Sequence, residues 1–417
     1  MLRNVRIAFV AIFTMFGATS CDRSGAFLNP NANVVPDPDA AAALSAMTDE
    51  TASALGVSSF VVGQLDAGSI SVARGALRDT LAFEAMNACF VDAATSVHCF
   101  GRRPTDLEPI VDVGALPFYG ATSAIAAMND AFCALSASGR VECVGRGTSG
   151  QIGDGDLKDQ SKPRVVLEGA VQIAAGIGHA CARLFDGRLA CWGSDVRSAP
   201  ETKNDHACDS GPCLPKPVFF PLKSAATSIA AGPLSVCAIE KNESVECFGT
   251  SLPKNLPPLK DLALGGHSAC ALSKAGDVWC WGKNDVIQTG VEGPDRDAAI
   301  KVPLSGKVLE IATTGVSTCA RLASNAVQCW GANALGQLGR GSATPGKGFV
   351  PGVVALSGPA RALSGGQAFC AALDHSIACW GPRPWSLDGA KSVTDPQVDG
   401  RDFSSRPVDV PELATAR

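Results

Sequence analysis

The segment CALSKAGDVWCWG, from Cys270 to Gly282, constrains the fold more than any other because the chain repeats it. Related segments start at Cys89, Cys133, Cys181, Cys237, Cys319 and Cys370. Each closes on a second cysteine, then an aromatic residue or Val, then Gly. Cysteines so placed suit the two strands of one hairpin. With Cys270 set opposite Cys280, Ala271 faces Trp279, Leu272 faces Val278 and Ser273 faces Asp277, which leaves Lys274, Ala275 and Gly276 as the loop. Three-residue hairpin loops need a positive φ at their last position, and Gly276 supplies it. Gly139, Gly187 and Asn325 fill that place in three other segments, Asn being the next most tolerant residue. Thr95 and Glu243 do not fit it, so the pattern predicts two less regular turns.

The last segment is one residue shorter. Pairing Cys370 with Cys379 leaves a two-residue loop, Asp374–His375, the other favoured hairpin length. A deletion confined to the turn keeps the cysteines opposed, as a cross-strand disulfide requires of Cα atoms about 4.4–6.8 Å apart. The expected bridges are Cys89–Cys99, Cys133–Cys143, Cys181–Cys191, Cys237–Cys247, Cys270–Cys280, Cys319–Cys329 and Cys370–Cys379, with Cys208–Cys213 stapling the insertion Ser198–Pro217. Metal is the competing use of cysteine. Zinc ligands come in pairs about two to four residues apart, and that clustering does not occur; nor does a redox Cys-x-x-Cys.

Before each hairpin lies a short run of small residues, as in Ser123–Cys133, Val171–Cys181, Thr227–Cys237 and Leu309–Cys319. Small side chains suit strands crowded round an axis. Further upstream are Pro–Val pieces such as Lys162–Leu167 and Lys216–Leu222, read as edge strands. Together they give about four strands per repeat. First cysteines are spaced from 33 residues (Cys237 to Cys270) to 56 (Cys181 to Cys237). A period near 45–50 residues in an all-β chain marks a propeller. The fold class expected is therefore all-β, a seven-bladed β-propeller with one stapled hairpin per blade. The C-terminal piece Arg406–Leu413 repeats the Pro–Val pattern with no hairpin after it, and is expected to complete the first blade and close the ring.

Seventeen cysteines are too many for a reduced cytosolic protein without metal. The N-terminus has Arg3 and Arg6, an apolar run Ile7–Phe16, small residues, and Cys21. That run is a signal-peptide core rather than a membrane span. Small residues before Cys21 resemble a bacterial lipoprotein cleavage box, which makes Cys21 the lipidation site. The expected organisation is residues 1–20 as signal peptide, 21–57 as lipidated N-terminus and tether, and 58–417 as propeller. The expected location is the bacterial cell envelope, with the protein anchored to a membrane through the N-terminal lipid only. A formal net charge of −5 lacks the basic footprint that nucleic acid requires.

The segment GIGHACARLFDGRLACWGSD (Gly176–Asp195) and the tails in Cys329–Ser342 and Gly147–Asp156, with their Gly, Gln, apolar residue and Gly, resemble the regulator of chromosome condensation repeat family. The likeness runs over about residues 80 to 413. The Trp-Gly pair stands at Trp192, Trp281, Trp330 and Trp380, with Phe100, Val144 and Phe248 in its place elsewhere. The resemblance implies a seven-bladed propeller with structural histidines at His179 and His267. Nuclear members exchange nucleotide on a small GTPase; an extracytoplasmic chain does not meet one, so the resemblance carries the fold and not that activity.

No nucleophile elbow, P-loop, zinc-protease helix or paired-carboxylate site stands out. His206 between Asp205 and Asp209, and the acidic turn Asp154–Asp159, are minor metal candidates. No cofactor is expected. The reading is a non-enzymatic, monomeric scaffold for a protein partner, contacted through the loops Ser198–Pro217, Asn284–Ala298 or Ala343–Pro351. Two alternatives stand. One is a carbohydrate or cell-wall binding module using Phe118, Tyr119 or Trp385; the other is a propeller hydrolase with acids at the channel.

Overall fold

The structure, a computed structural model, describes residues 81–382 and 403–409, apart from 85–86, 92–94, 96, 103–108, 111–114, 117, 129, 195–206, 209–210, 367 and 375–376. The expected signal peptide, Cys21 and the tether lie outside these residues, as do His206 and Trp385. Every helix-or-strand element among them is a β-strand, and the strands form seven antiparallel sheets, which we number in chain order. Sheets 2 to 7 are the propeller blades whose side chains are described. Sheet 1 (strands Leu81–Glu84, Asn87–Val91, Val97–Arg102, Pro109–Ile110 and Ala115–Leu116) stands between sheets 7 and 2, its first strand beside both Ala362–Gly365 and Thr122–Met128.

Each hairpin has the expected register. Cys270 opposes Cys280, Ala271 opposes Trp279 and Leu272 opposes Val278. The disulfides Cys133–Cys143, Cys181–Cys191, Cys237–Cys247, Cys270–Cys280, Cys319–Cys329 and Cys370–Cys379 join Cα atoms 4.0–4.1 Å apart. That is the close approach of a non-hydrogen-bonded antiparallel pair. Cys208–Cys213 is formed too, with Cα atoms 6.0 Å apart. In sheet 1 the backbone sets Cys89 opposite Cys99. In sheet 7 Cys370 still opposes Cys379 despite the shorter turn.

The turns at Thr95 and Glu243 are not less regular. Thr95 has φ 66° and Glu243 φ 69°, the same conformation as Gly276 (φ 79°) and Asn325 (φ 66°). A bond to the next sheet enforces it at most of these positions. The carbonyls of Thr95, Gly139, Gly187, Gly276 and Asn325 accept hydrogen bonds from Thr122, Ala170, Ala226, Val308 and Ala360 respectively. At Gly187 a side chain would also collide, since a Cβ would lie 2.5 Å from that of Ala225.

Two expectations about the outer strands are corrected. The piece containing Lys162–Leu167 pairs with Val141–Gly145, and Gly211–Phe220 pairs with Leu189–Ser194. Each Pro–Val piece is thus the fourth strand of the preceding hairpin's sheet, because the third strand offers an open edge one turn away. For the same reason Phe403–Asp409 pairs with Ile377–Pro382 in sheet 7 and does not complete sheet 1. Among the described residues sheet 4 has three strands. The residues that follow it include Pro253, Pro257 and Pro258, which have no N–H for a ladder.

The core lies between sheets. The Cys133–Cys143 bridge of sheet 2 packs with Ile173 and Trp192 of sheet 3. The Cys270–Cys280 bridge packs with Trp330, and Cys319–Cys329 with Trp380. Val97 of sheet 1 joins Ile125 and Phe132 of sheet 2. Disulfides and tryptophans therefore meet at blade seams.

Candidate interaction surface

The tips of the stapled hairpins share one face with the starts of the inner strands, since the chain enters each sheet at that end. Three exposed aromatic rings gather there on sheets 2 and 3: Tyr119 (67% exposed), Phe185 (77%) and Phe219 (52%). The Arg140 guanidinium lies 4.7 Å from the Tyr119 ring centre, and its Nε donates to Glu168 Oε1 at 2.8 Å. Glu142 accepts the Tyr119 N–H at 2.7 Å and so fixes the ring's backbone. Gly169, next to Glu168, accepts the Phe185 N–H at 3.0 Å. Beyond Phe185, Asp186 accepts the Arg188 N–H (3.0 Å) and Nε (2.7 Å). These bonds and the Arg188 charge hold its carboxyl below the usual range, against slight desolvation. The Arg188 guanidinium lies 4.5 Å from the Phe219 ring centre. Phe219 itself is anchored through buried Phe220, which meets Phe248 edge-on at 4.8 Å.

This stripe runs unbroken from Tyr119 to Phe219 across two sheets. Guanidinium groups stacked on aromatic rings are pre-ordered, so they lose little freedom when a partner docks. Trp, Tyr and Arg are also the residues that dominate binding hot spots. Sheets 4 and 5 carry ion pairs instead on this face, such as Lys274–Glu243 (2.5 Å) and Lys307–Asp277 (2.8 Å).

The loops expected to bind have other work. Within Asn284–Ala298, Asn284 Nδ2 donates to the carbonyls of Val291 (2.9 Å) and Gly293 (2.8 Å), which stitches the loop to itself. Gln288 then offers its carbonyl to Trp330 Nε1 at 3.0 Å. Ala343–Pro351 mostly enters the outer strand Thr344–Val353, and the end of Ser198–Pro217 enters Gly211–Phe220. Of the sugar candidates, Phe118 is half-buried against the sheet 1–2 core, whereas Tyr119 is exposed under Arg140. The stripe escaped the sequence reading because its rings are far apart in the chain. The available signal was Phe185, a large apolar residue at a hairpin tip where the other segments are polar or small.

The acidic turn does not converge on an ion. Asp154 accepts the Asp156 N–H and pairs with Arg164, while Asp159 accepts the Gly147 N–H. Among the described residues no group of three or more His, Cys, Asp or Glu is placed to hold a metal. The two expected structural histidines differ. His267 is exposed. His179 is fully buried, and neither ring nitrogen has a hydrogen-bond partner among the described residues. Desolvation pushes its pKa down to about 4, against an opposing effect of the Ser235 backbone.

Comparison with known proteins follows the repeats. The profile of the regulator of chromosome condensation (RCC1) repeat matches residues 170–198 and 259–288. The E3 ubiquitin-protein ligase HERC2 of Homo sapiens and that of Mus musculus are each 26% identical over 223 residues, covering 45% of this chain. The match spans only 4% of either relative's length. Among solved structures, Prp20p of Saccharomyces cerevisiae superposes with a TM-score of 0.61 at 16% identity, over 76% of this chain and 85% of that one. Yeast RCC1 (Prp20) bound to Kap60 gives 0.58 at 15%, over 85% and 91%. The ectodomain of the Physcomitrella patens receptor kinase CR4 gives 0.50 at 20%, over 73% and 74%. At these identities the likeness concerns the fold.

Proposed function

The chain is an RCC1-type repeat protein, and from that premise we propose that it is an extracytoplasmic scaffold that docks a protein partner on the stripe Tyr119–Arg140–Phe185–Arg188–Phe219. The observation that carries this reading is that, among the described residues, the exposed rings and the arginines stacked on them fall in one sector of the hairpin-tip face. Two fold relatives support it by analogy: Prp20p is described with binding properties to Gsp1p and histones, and yeast RCC1 in complex with Kap60. Several disulfides suit an oxidising compartment outside the cytoplasm. Among the described residues no helix is long and apolar enough to cross a membrane. In this reading a lipid on Cys21 tethers the protein, sheet 1 is the seventh blade, and Cys89 is bonded to Cys99.

The test is capture from envelope extract with wild type and the triple variant Tyr119→Ser, Phe185→Ser, Phe219→Ser. A partner retained by wild type and lost by the variant is expected; equal recovery rejects the stripe. Fatty-acid labelling abolished by Cys21→Ser tests the anchor, and non-reducing peptide mapping tests Cys89–Cys99. A second reading, carbohydrate binding, rests on Phe185, whose exposed ring has no cation over it among the described residues, and a glycan array separates it from the first.

A further inference from the structure

Sheet 4 ends one strand short, and the ladder fixes what that leaves open. In sheets 2, 3, 5, 6 and 7 a fourth strand pairs with the third. Sheet 4 stops at Val245–Phe248. Cys237 and Cys247 form the close, non-hydrogen-bonded pair, with Cα atoms 4.1 Å apart. Glu246 and Phe248 therefore exchange bonds with Ala238 and Val236, and the N–H and C=O of Val245 and Cys247 point away from the sheet. The matching positions in sheets 5 and 6 show what such groups do when covered. The Val278 carbonyl accepts Val302 N–H, and the Val327 carbonyl accepts Val354 N–H, both at 2.9 Å. Among the described residues the Val245 and Cys247 backbones have no outer-strand partner of this kind.

The next segment passes without pairing. Leu252 and Leu256 pack on the cluster around Leu259 and Leu262, and Asn255 is held by Ala299 of sheet 5 at 2.8 and 3.0 Å. All four residues of the edge strand remain part-exposed. Unpaired edges accept strands from other chains.

We propose that this edge takes its missing strand from a partner protein, as an extended segment that opens with Lys or Arg and continues with Val or Phe. Three outer strands of the chain itself show the pattern. Lys162-Pro163-Arg164-Val165, Lys216-Pro217-Val218-Phe219 and Arg406-Pro407-Val408 occupy the same slot in sheets 2, 3 and 7, where Arg164, Val218 and Val408 sit opposite the second cysteine. These three segments are each paired within their own sheet. Glu246 on the edge strand is held by Lys223 at 2.8 Å, so the basic lead residue rests on the recurrence of Lys or Arg in these three segments. This edge adjoins the aromatic stripe through the Phe220–Phe248 contact but shares no residue with it, so either reading can fail alone.

The probe is a fluorescent octapeptide copying residues 160–167, QSKPRVVL, titrated into the full chain. Saturable binding is expected, weakened at least tenfold by Val245→Pro, which removes one outward N–H and no bond within the sheet. A peptide N-methylated at the copy of Arg164 keeps every side chain and loses the central donor; it is expected to bind at least tenfold more weakly. Val353→Ser, at an exposed position of sheet 6 outside both surfaces, should leave binding unchanged. Absence of binding to wild type, or equal binding of methylated and plain peptide, overturns the proposal even if Val245→Pro fails to fold. Dimerisation of wild type alone, abolished by Val245→Pro, assigns the edge to a second copy and also overturns it.

Discussion

At the residue scale, three buried tryptophans do the same task. Trp192, Trp330 and Trp380 each donate Nε1 to the carbonyl of a glutamine in the preceding sheet, Gln151, Gln288 and Gln337, at 3.0 Å. Each glutamine side chain in turn accepts the N–H two residues before it, from Ser149, Val286 and Leu335. The Gly two places after each glutamine leaves room for the indole: at Gly153 a Cβ would lie 2.5 Å from Trp192. Two of these tails were legible in the sequence. The third, Gln288-Thr289-Gly290, was not, because only Gln-x-Gly survives of the motif and physical pairing with Trp330 is what defines it. Trp330→Phe should cost about 1–3 kcal/mol through the orphaned carbonyl. Trp281→Phe should cost less, since residues 249–258, which follow sheet 4, contain no glutamine to clasp it. Equal losses in chemical denaturation would refute the clasp. Glu243 sits at φ 69° with only an exposed ion pair to Lys274 to lose, so Glu243→Gly should raise stability by about 1 kcal/mol. His179 is depressed to about 4 in the folded chain and titrates near 6.5 unfolded. Below pH 6.5 the unfolded state binds the proton first. Stability is therefore full above 6.5 and falls by roughly 3 kcal/mol as pH drops to 4. Denaturation midpoints at pH 7 and 4.5 should converge in His179→Met.

At the element scale, the stapled hairpin is the unit that could be read from the chain, and the outer strand is the one that could not. Cysteine pairs report their own register, since only opposed residues can bond, and a turn deletion such as that before Cys379 leaves them opposed. A Pro–Val piece carries no such mark. It lies midway between two hairpins and fits either, and the choice is made by which edge it meets first on leaving the third strand. The less regular turn expected at Thr95 failed for a related reason: the inter-sheet bond to Thr122 sets its conformation, and propensity yields to it. The staple itself should be worth a bounded amount. The chain-entropy model gives at most about 3 kcal/mol for a loop this short, and a hairpin already ordered by its neighbours gains less. Replacing Cys319 and Cys329 together by Ser should thus destabilise by about 1–3 kcal/mol. Added loss of packing against Trp380 and Leu363 works in the same direction. A neutral result in urea titration would mean the bridge only records a register already fixed by packing.

At the scale of the whole molecule, the sheets succeed one another without exchanging strands, and that determines how the ends matter. Sheet 7 draws all four of its strands from residues 362–409, and sheet 1 all of its strands from residues 81–116. The final strand also reaches toward sheet 6, where Gly341 N–H donates to the Ser405 carbonyl at 2.7 Å. Among the described residues, this bond ties the final strand to the sheet before it in the chain. Glu310, paired with Arg321 inside sheet 6 at 2.9 Å, accepts the Leu363 N–H of sheet 7 across the same seam at 3.0 Å, so sheets 6 and 7 remain tied when the last strand is absent. Deleting residues 403–417 should therefore lower the melting temperature without dismantling the array. Hydrogen exchange localises the damage. Amides of Ile377–Pro382 that face outward should lose protection, while those of Val97–Arg102 should keep theirs. Loss of protection in Val97–Arg102 of equal size would mean that the two chain ends support one sheet after all, and that the edge left open by the deletion belongs to sheet 1.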